Sequence, residues 1–287
     1  MSSEHWGIAT LYLCINMKPR HFVRGVAIQL PKGVLMRVTA LIPARKGSKR
    51  IPNKNIIEVG GHPLIWYSIV TALSCEPIQE PVYVSTDSLK IAAFAEDSGC
   101  EIIQRPKELA QDNSTDYDFI LHFLMSIAPF EKLPDLLVIL LPTSPLRSLS
   151  IVSGAISIMV KILEGTETCH KPTSLRSIEK MSESAWKCFE LEAGIMLKGL
   201  GKITVDRAGE PNQTFPQTYR PNGYVDIVRP ELVIRDRRAW GNRVYGYVTP
   251  RITELDEPED LKRLQFDIAT KRGEDVLFRS MGKGPGR

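Results

Sequence analysis

Basic side chains, a glycine and a serine follow directly after a short apolar run near residue 40, and this group is the one most able to do chemistry. The segment 43–55 reads Pro-Ala-Arg-Lys-Gly-Ser-Lys-Arg-Ile-Pro-Asn-Lys-Asn, with five basic residues and no acidic one. Backbone N–H groups, a hydroxyl and several cations can surround the oxygens of a polyphosphate. The segment therefore predicts a triphosphate-binding loop.

Two common phosphate-binding patterns do not fit this loop. No Gly-Lys-Ser/Thr follows a second glycine, as the Walker A motif requires, and the spacing Gly-x-Gly-x-x-Gly is missing as well. Composition alone leaves open a solvated basic loop, or a loop that contacts nucleic acid backbone. The net charge of +4 is too weak to indicate a nucleic-acid-binding protein by itself, so we expect no nucleic acid partner.

The elements that must position this loop alternate between strand and helix from residue 37 onward. Strands are predicted at Val38–Ile42, Val82–Ser85, Ile102–Ile103 and Leu136–Leu141, and helices at Leu64–Leu73, Leu89–Asp97, Tyr117–Ile127 and Ile151–Leu163. The alternation predicts an α/β fold with a doubly wound, mostly parallel sheet, because continuous apolar strands need both faces covered. Ligands then bind at the carboxyl ends of the strands.

Beyond residue 165 the segments become shorter and are separated by turns. Strand-like runs at 186–191, 195–197, 224–228 and 243–248 predict a small inserted β-rich lobe, which we place at about residues 166–220. Glu257–Thr270 predicts a closing helix with Pro258 in its first turn. We expect a poorly ordered N-terminal extension at 1–35, a main domain at 36–275 that contains the lobe, and a mobile tail at 276–287.

Composition limits the class of protein. The 287 residues are 43% hydrophobic and 24% charged, which is typical of a soluble globular protein. No apolar run approaches the ~20 residues of a membrane-spanning helix, and residues 1–35 lack a secretory signal, so we expect no membrane partner. The five cysteines form no Cys-x-x-Cys pair, which indicates reduced thiols in a cytoplasmic protein.

Several blocks of sequence, spread over residues 37 to about 265, occur in a fixed order. They are the loop 41–55, Ser85-Thr86-Asp87, Arg-Pro-x-x-Leu-Ala-x-Asp at 105–112, Pro-Thr-Ser-Pro-Leu-Arg at 142–147, Tyr-Arg-Pro-Asn-Gly at 219–223 and Leu-Asp-Glu-Pro-Glu-Asp-Leu at 255–261. Together they resemble the acylneuraminate cytidylyltransferases, the CMP-sialic acid synthetases. The resemblance implies a Rossmann-like nucleotidyltransferase that forms a homodimer through its inserted lobe. Its reaction would transfer CMP from CTP to the anomeric hydroxyl of an acidic sugar, a sialic-acid-like nonulosonic acid, and release pyrophosphate.

The resemblance also implies roles for individual residues. It makes Arg45, Lys54 and Asp256 catalytic. Nucleotide contacts are implied for Arg45, Gly47, Ser48, Lys54, Asn55, Arg105, Thr143 and Ser144. Contacts to the acceptor sugar are implied for Arg147, Gln217, Tyr219, Arg220 and Asn222. None of the five histidines falls in a matching motif, so no general base is evident.

Two carboxylates precede the closing helix, in Glu254-Leu255-Asp256. Alternation along an extended segment puts both on one side, where they could share a hard cation through oxygen ligands. Acidic residues at the surface ahead of a helix N-terminus are the common alternative. The family usually has Asp-x-Asp here, so the resemblance implies Mg²⁺ bound by Asp256 and Glu254, with Glu254 as a departure.

Three further departures fall on the sugar side of the implied site. Leu141 stands where the family usually has Gln, Asn212 stands where sialic acid enzymes tend to have Arg, and 224–226 reads Tyr-Val-Asp instead of Ala-Ile-Tyr. The acceptor could therefore be another sugar acid, such as ketodeoxyoctonate. A paralogue that binds CTP without catalysis and a basic nucleic-acid-binding protein are the alternatives from other functional classes.

Overall fold

The computed structural model describes residues 36–79, 81–127, 133–165 and 171–271. The expected N-terminal extension at 1–35 and the expected tail at 276–287 lie outside these residues. In the described part of the chain, no helix is both long and apolar enough to cross a membrane.

A seven-stranded central sheet organises the fold, in the order β11-β7-β10-β6-β1-β4-β5. Its strands are β1 (Val38–Pro43), β4 (Tyr83–Thr86), β5 (Glu101–Gln104), β6 (Leu136–Ile139), β7 (Ser174–Lys180), β10 (Tyr219–Val228) and β11 (Val244–Val248). The pairs β1 with β4, β1 with β6, β4 with β5 and β7 with β11 are parallel, and β10 runs antiparallel to both of its neighbours. The prediction of a mostly parallel α/β sheet is confirmed.

Helices cover the sheet and close the chain. They are α1 (Leu64–Ser74), α2 (Leu89–Asp97), α3 (Asp116–Ser126), α4 (Leu149–Glu164), α5 (Val205–Ala208), α6 (Pro230–Asp236) and α7 (Pro258–Lys271). Local sequence sets several helix starts: the Ser88 hydroxyl accepts the N–H of Ile91, and Thr115 with Asp118 forms a capping box at α3. The five predicted helices are confirmed to within about two residues at each end.

The core explains the continuous apolar run of β6. Val138 belongs to a cluster packed under α1, α2 and α4, whereas its neighbours Leu137 and Ile139 belong to a cluster under α3 and α6. Both faces of the strand are therefore buried, as a doubly wound sheet requires. A third cluster, which includes Leu255 and Leu264, packs the start of α7 and the segment before it against α1.

The predicted lobe at about 166–220 shares part of its length with the central sheet. β7, β10 and β11 all lie in that sheet. The sequence did not predict β7, which is polar, but its serines have partners: Ser174 donates to the Trp240 carbonyl, and the Ser177 hydroxyl accepts the N–H of Val225. Buried polar groups with such partners are compatible with a central strand.

Between β7 and β10 the chain forms a separate hairpin of β8 (Phe189–Glu192) and β9 (Met196–Gly199), followed by the short helix α5. A second small hairpin, β2 (Glu58–Val59) with β3 (His62–Pro63), precedes α1. The β8–β9 hairpin falls within the residues predicted as the lobe. The division of the chain into domains stays a prediction.

A buried carboxylate lies in the central sheet at Asp226 of β10. Its Oδ1 accepts the N–H of Ser177 at 3.0 Å, and Arg176 Nε lies 3.8 Å from its Oδ2. The Arg176 guanidinium stacks on Trp240 at 4.4 Å from the ring centroid. Burial raises the pKa of Asp226 to about 6, against an ordinary value of 3.8.

Asp226 therefore makes the stability of the fold depend on pH. Because its pKa is raised in the folded state, its contribution is fully present below pH ~4 and is lost as pH rises through about 6. Asp226→Asn removes this titration. We expect the free energy of unfolding of the variant, relative to wild type, to rise by on the order of 2 kcal/mol between about pH 4.5 and about pH 7.5 in urea titrations.

The exposed Asp97 at the end of α2 provides the control, Asp97→Asn, which should show no such trend with pH. A flat difference for Asp226→Asn across the same range would contradict the assignment of a raised pKa to this carboxyl.

Candidate active site

A cleft of about 470 Å³ opens beside the carboxyl ends of β1 and β6. Eight of the residues predicted for nucleotide or metal binding line it: Arg45, Gly47, Ser48, Lys54, Asn55, Arg105, Thr143 and Asp256. The structure therefore brings together residues that are more than 200 positions apart in the chain. The location agrees with the expectation that ligands bind at the carboxyl ends of parallel strands.

The basic loop after β1 is shaped by its own polar groups. Asn55 Nδ2 donates to the carbonyl of Arg45 at 2.8 Å, and the backbone N–H of Lys46 donates to Asp87 Oδ1 at 2.6 Å. Asn53 adopts a left-handed conformation with φ 55°, which asparagine tolerates better than most residues. Asn55, predicted to contact nucleotide, thus has at least one role within the loop, which is to fix the path of the backbone at Arg45.

Each basic side chain of the loop that lines the cleft forms an ion pair with a carboxylate. Arg45 and Lys49 both lie 2.8 Å from Asp112, and Arg50 lies 2.7 Å from Glu257. Hydrogen bonds from Lys49 and then Arg45 hold the pKa of Asp112 below its ordinary value. These carboxylates neutralise the cations of the loop.

Arg105 presents a guanidinium from a rigid, buried position. Its Nε donates to Ser85 Oγ and its Nη2 to the Ser85 carbonyl, both at 3.0 Å, and it stacks over Phe119 at 5.2 Å from the ring centroid. Burial lowers the pKa of Arg105 to about 10, so the side chain stays charged at neutral pH. Its position at the inner wall of the cleft suits the recognition of a polar ligand group.

Lys54 and Asp256 form the other wall. Lys54 Nζ donates to the Leu255 carbonyl at 2.9 Å and to Asp256 Oδ1 at 3.0 Å. Glu254 lies close enough to Asp256 that the two charges interact. Burial, then Asp256, then Glu179 raise the pKa of Glu254 to about 7.

This donor set fits a hard cation, because a bound divalent ion would relieve the repulsion between the two carboxylates of Glu254 and Asp256. Among the described residues, no group of three or more His, Cys, Asp or Glu side chains is placed to hold a metal ion. A cation here would therefore need further oxygen ligands from a bound phosphate or from water.

Three predicted residues lie outside the cleft and hold its wall instead. Arg147 is buried, and its guanidinium donates to Ser68 Oγ at 2.9 Å and to the carbonyl oxygens of Leu141, Gly223 and Tyr224. Ser144 Oγ donates to the Asn222 carbonyl at 3.2 Å, and Asn222 Nδ2 donates to Thr249 Oγ1 at 2.7 Å. The structure gives these side chains bracing contacts, and their predicted contacts to ligand stay predictions.

The other predicted sugar contacts lie around the start of β10. Gln217 is exposed and donates to the carbonyl oxygens of Met181 and Thr218 at 2.9 Å and 2.8 Å. Tyr219 is also exposed, and Arg220 pairs with Glu179 at 2.7 Å. Arg220 does not line the cleft, but it interacts electrostatically with Glu254, two residues before Asp256 of the cleft wall.

Some residues of the cleft were missed by sequence reasoning. Asp112, Asp116 and Phe119 all line it. Asp112 had a usable signal, because it is the acidic residue at the end of the 105–112 block. Asp116 and Phe119 gave no such signal, because their sequence pattern is that of a helix start and of a core residue. Their exposure to the cleft is a tertiary property.

The departure at Leu141 has a packing partner. Gly223 has a φ of 57°, and a Cβ added there would lie 2.8 Å from Leu141 Cδ1. Leu141 therefore lies over the backbone of Gly223 and presents an apolar side chain to the cleft. A side chain at position 223 would be strained by its backbone conformation and would also displace Leu141.

Comparison with known proteins places these features in a family. The model of the family described as "Cytidylyltransferase" matches residues 39–185. An N-acylneuraminate cytidylyltransferase of Escherichia coli O18:K1:H7 is 29% identical over 233 residues, which cover 81% of this chain and 51% of that protein. The enzyme of the same name from Streptococcus agalactiae serotype V is 26% identical over 254 residues, covering 86% and 58%.

A CMP-N,N'-diacetyllegionaminic acid synthase of Legionella pneumophila is 35% identical over 149 residues, which cover 50% of this chain and 64% of that protein. The chain spans about half the length of the first two relatives. Among solved structures, CMP:2-keto-3-deoxy-manno-octonic acid synthetase complexed with CTP aligns with a TM-score of 0.60 at 15% identity, over 82% of this chain and 99% of that one. At this identity the likeness shows the fold.

The pairing of Asp112 with Arg45 and Lys49 predicts competition with a bound triphosphate. Asp112→Asn removes a carboxylate that pairs with both Arg45 and Lys49 and that would repel a bound phosphate. Because exposed ion pairs are weak, we expect the dissociation constant for inorganic triphosphate to fall by about two- to fivefold in calorimetric titrations at low salt.

Glu108→Gln is the matched control, since Glu108 is an exposed carboxylate in the same segment. It should leave the dissociation constant unchanged. Weaker triphosphate binding by Asp112→Asn would show instead that Asp112 is needed to hold Arg45 and Lys49 in place.

Proposed function

Because this chain belongs to the cytidylyltransferase family, we propose that it transfers CMP from CTP to the anomeric hydroxyl of an acidic sugar and releases pyrophosphate. The acceptor class is a sialic-acid-like nonulosonic acid. The names of the E. coli, S. agalactiae and L. pneumophila relatives support this class.

The observation that carries the proposal is the arrangement of opposite charges across the cleft. The basic loop supplies Arg45 and Lys54 from one side, and Asp256 stands 3.0 Å from Lys54 on the other. A triphosphate laid along the loop would bring one end of its phosphate chain to the carboxylates. Such a site can neutralise a departing pyrophosphate and position an attacking oxygen at the α-phosphorus.

In the proposed reaction, the anomeric oxygen of the acceptor attacks the α-phosphorus in line with the bond to the leaving pyrophosphate. The new phosphorus–oxygen bond forms as the bond between the α-phosphorus and the bridging oxygen to the β-phosphorus breaks. Arg45 and Lys54 stabilise the negative charge that moves to the leaving group, and Arg105, Ser48 and Thr143 hold the nucleotide. Positioning and charge neutralisation dominate chemistry of this kind.

We propose Mg²⁺ as the cofactor, held by Asp256 and Glu254. Bound there, the ion would neutralise charge on the phosphates. Lys54 Nζ lies 3.0 Å from Asp256 Oδ1 and would orient that carboxylate in the nucleotide-free protein.

The sugar itself is less constrained. Leu141 replaces a polar family residue, so the acceptor pocket is more apolar near the cleft than the family pattern implies. Transfer to ketodeoxyoctonate and a CTP-binding protein without catalysis are the competing functions. The likeness in fold to a CMP:2-keto-3-deoxy-manno-octonic acid synthetase is compatible with the first of these.

We further propose a homodimer in which the hairpin β8–β9 contributes to the interface, and a cytoplasmic location. Leu191 and Leu197 stand opposite each other in the hairpin, and Phe189 shares their face; their exposed fractions are 63%, 54% and 43%. A cluster of exposed apolar side chains is typical of a contact surface. Cys75, Cys100 and Cys188 are free thiols, which supports a reducing compartment.

The test of the reaction is pyrophosphate release from CTP with Mg²⁺, offered N-acetylneuraminate, legionaminate and ketodeoxyoctonate, with the products weighed by mass spectrometry. We expect a CMP-sugar from at least one acid. Arg45→Ala should reduce the turnover by about 10²- to 10³-fold, because it removes a preorganised stabiliser of the leaving group.

Arg235→Ala, at an exposed pair with Asp236 on α6, is the control and should keep full turnover. Undiminished turnover by Arg45→Ala would refute the role of Arg45 in stabilising the leaving group. CTP binding without pyrophosphate release from any acid would favour the non-catalytic protein.

The dimer is tested by sedimentation equilibrium. We expect the wild type to be dimeric and the double variant Leu191→Ser, Leu197→Ser to be mainly monomeric. Leu89→Ser is the matched control, because Leu89 is 81% exposed but lies on helix α2, about 100 residues before the hairpin in the chain. A monomeric wild type, or a double variant as dimeric as the control, would refute this interface.

A further inference from the structure

We propose that Glu179 positions two arginines, Arg220 and Arg251, as a clamp for the carboxylate of the acceptor. The inference rests on the proposed function and deepens it. Arg251 and Glu179 would then determine which acceptors are accepted: sugars that carry a carboxylate beside the anomeric carbon. Arg251 would contact the acceptor, whereas Glu179 would act through the arginines as a positioning residue.

The geometry comes from three neighbouring strands. β7 lies between β10 and β11, and Arg220 of β10 stands directly across from Glu179 of β7. Beyond the end of β11, the N–H of Thr249 bonds to the Ile178 carbonyl and so keeps the chain beside β7 as far as Arg251. Glu179 is thus reached by one arginine from each side.

The contacts to the carboxylate are unequal. Arg220 donates from Nε to Glu179 Oε1 at 2.8 Å, and its Nη2 lies 2.7 Å from the same oxygen. Arg251 Nε lies 3.8 Å from Oε1, which is an ion-pair distance but not a hydrogen bond. Arg220 is therefore firmly held, and Arg251 is held loosely enough to turn toward a second anion.

Burial separates this cluster from an ordinary surface ion pair. The Glu179 side chain is 4% exposed, whereas those of Arg220 and Arg251 are 54% and 60% exposed. A buried carboxylate is costly unless it is paired, so Glu179 anchors the cations while their outer donors stay free for a ligand. One carboxylate and two guanidinium groups leave one net positive charge, which a single ligand carboxylate would balance.

The cluster lies beside the cleft. Arg220 is two residues before Asn222, whose carbonyl accepts a hydrogen bond from Ser144, and Ser144 follows Thr143, which lines the cleft. Glu254 interacts electrostatically with Arg220, with Glu179 and with Asp256 of the cleft wall. An acceptor whose hydroxyl points to the α-phosphorus near Asp256 would extend past Glu254 toward Arg220. Its carboxylate, one bond from the anomeric carbon, would then come within reach of the guanidinium groups.

The experiment compares acid and amide forms of one acceptor. The probe is the acid that the wild type uses best among N-acetylneuraminate, legionaminate and ketodeoxyoctonate, together with its C1 carboxamide. Arg251→Gln should raise the KM for the acid by about tenfold or more and leave the KM for CTP unchanged, since hydrogen bonds between charged groups are worth this much. It should also reduce the preference of the enzyme for acid over amide by a similar factor.

Glu179→Gln should raise the KM for the acid as well, and Glu179→Asp should restore part of the loss, because a carboxylate returns to the same wall. Arg235→Gln is the matched control for loss of a surface arginine. Thermal unfolding and CTP binding of each variant separate loss of fold from loss of the clamp.

The outcomes distinguish the two proposals. An active wild type whose acid preference survives Arg251→Gln overturns the clamp and leaves the proposed reaction intact. A wild type that forms no CMP-sugar from any of the acids overturns the proposed function, and the clamp with it. If Glu179→Gln binds the acid as well as wild type while Arg251→Gln does not, the positioning role of Glu179 is refuted.

Discussion

The cleft depends on one buried cation. Arg147 is 1% exposed, and its guanidinium is satisfied by the Ser68 hydroxyl and by backbone carbonyls from two segments, the turn at Leu141 and the start of the sheet pairing in β10. Burial lowers its pKa to about 10, so it remains a cation at neutral pH. A buried charge needs all of its partners, and loss of any one leaves an unsatisfied donor. The wall between the cleft and β10 is thereby fixed in one geometry.

Charge balance is the second constraint on the site. Without a ligand, the loop cations are neutralised from both sides, by Asp112 and by the segment that carries Asp256 and Glu257. A triphosphate would replace these carboxylates as the partner of the cations, and a metal ion would then compensate the carboxylates. The triphosphate would leave the carboxylates without their cationic partners, and the metal ion would neutralise those carboxylates. Binding of the nucleotide and of the cation should therefore be cooperative.

Sequence patterns predicted much of this fold and eight of the residues that line the cleft. The strand at Val38–Pro43 and the basic loop after it were evident, because apolar alternation and a run of cations are local properties. The role of Arg147 was not, because the same motif is compatible with a ligand contact and with a brace. β7 was not predicted for a similar reason: its serines and Arg176 look exposed in the sequence, and only the partners on β10 and at Trp240 make them suitable for the interior. The pairing of Glu179 with Arg251 depends on three adjacent strands and had no sequence signal.

The strand order also bears on how the chain folds as it is synthesised. β1, β4, β5 and β6 are neighbours whose parallel pairings involve residues up to 139, so this half of the sheet can assemble early. β7 joins the sheet only through β10, which is made some 40 residues later, as the interval between Lys180 and Tyr219 shows. Until β10 inserts, the edge of β6 is open and β7 has no place in the sheet. Open edges of this kind are prone to pair with other chains. The half of the sheet formed by β7, β10 and β11 is therefore the part whose folding is most exposed to aggregation, and substitutions that delay β10 should reduce the yield of protein before they affect its chemistry.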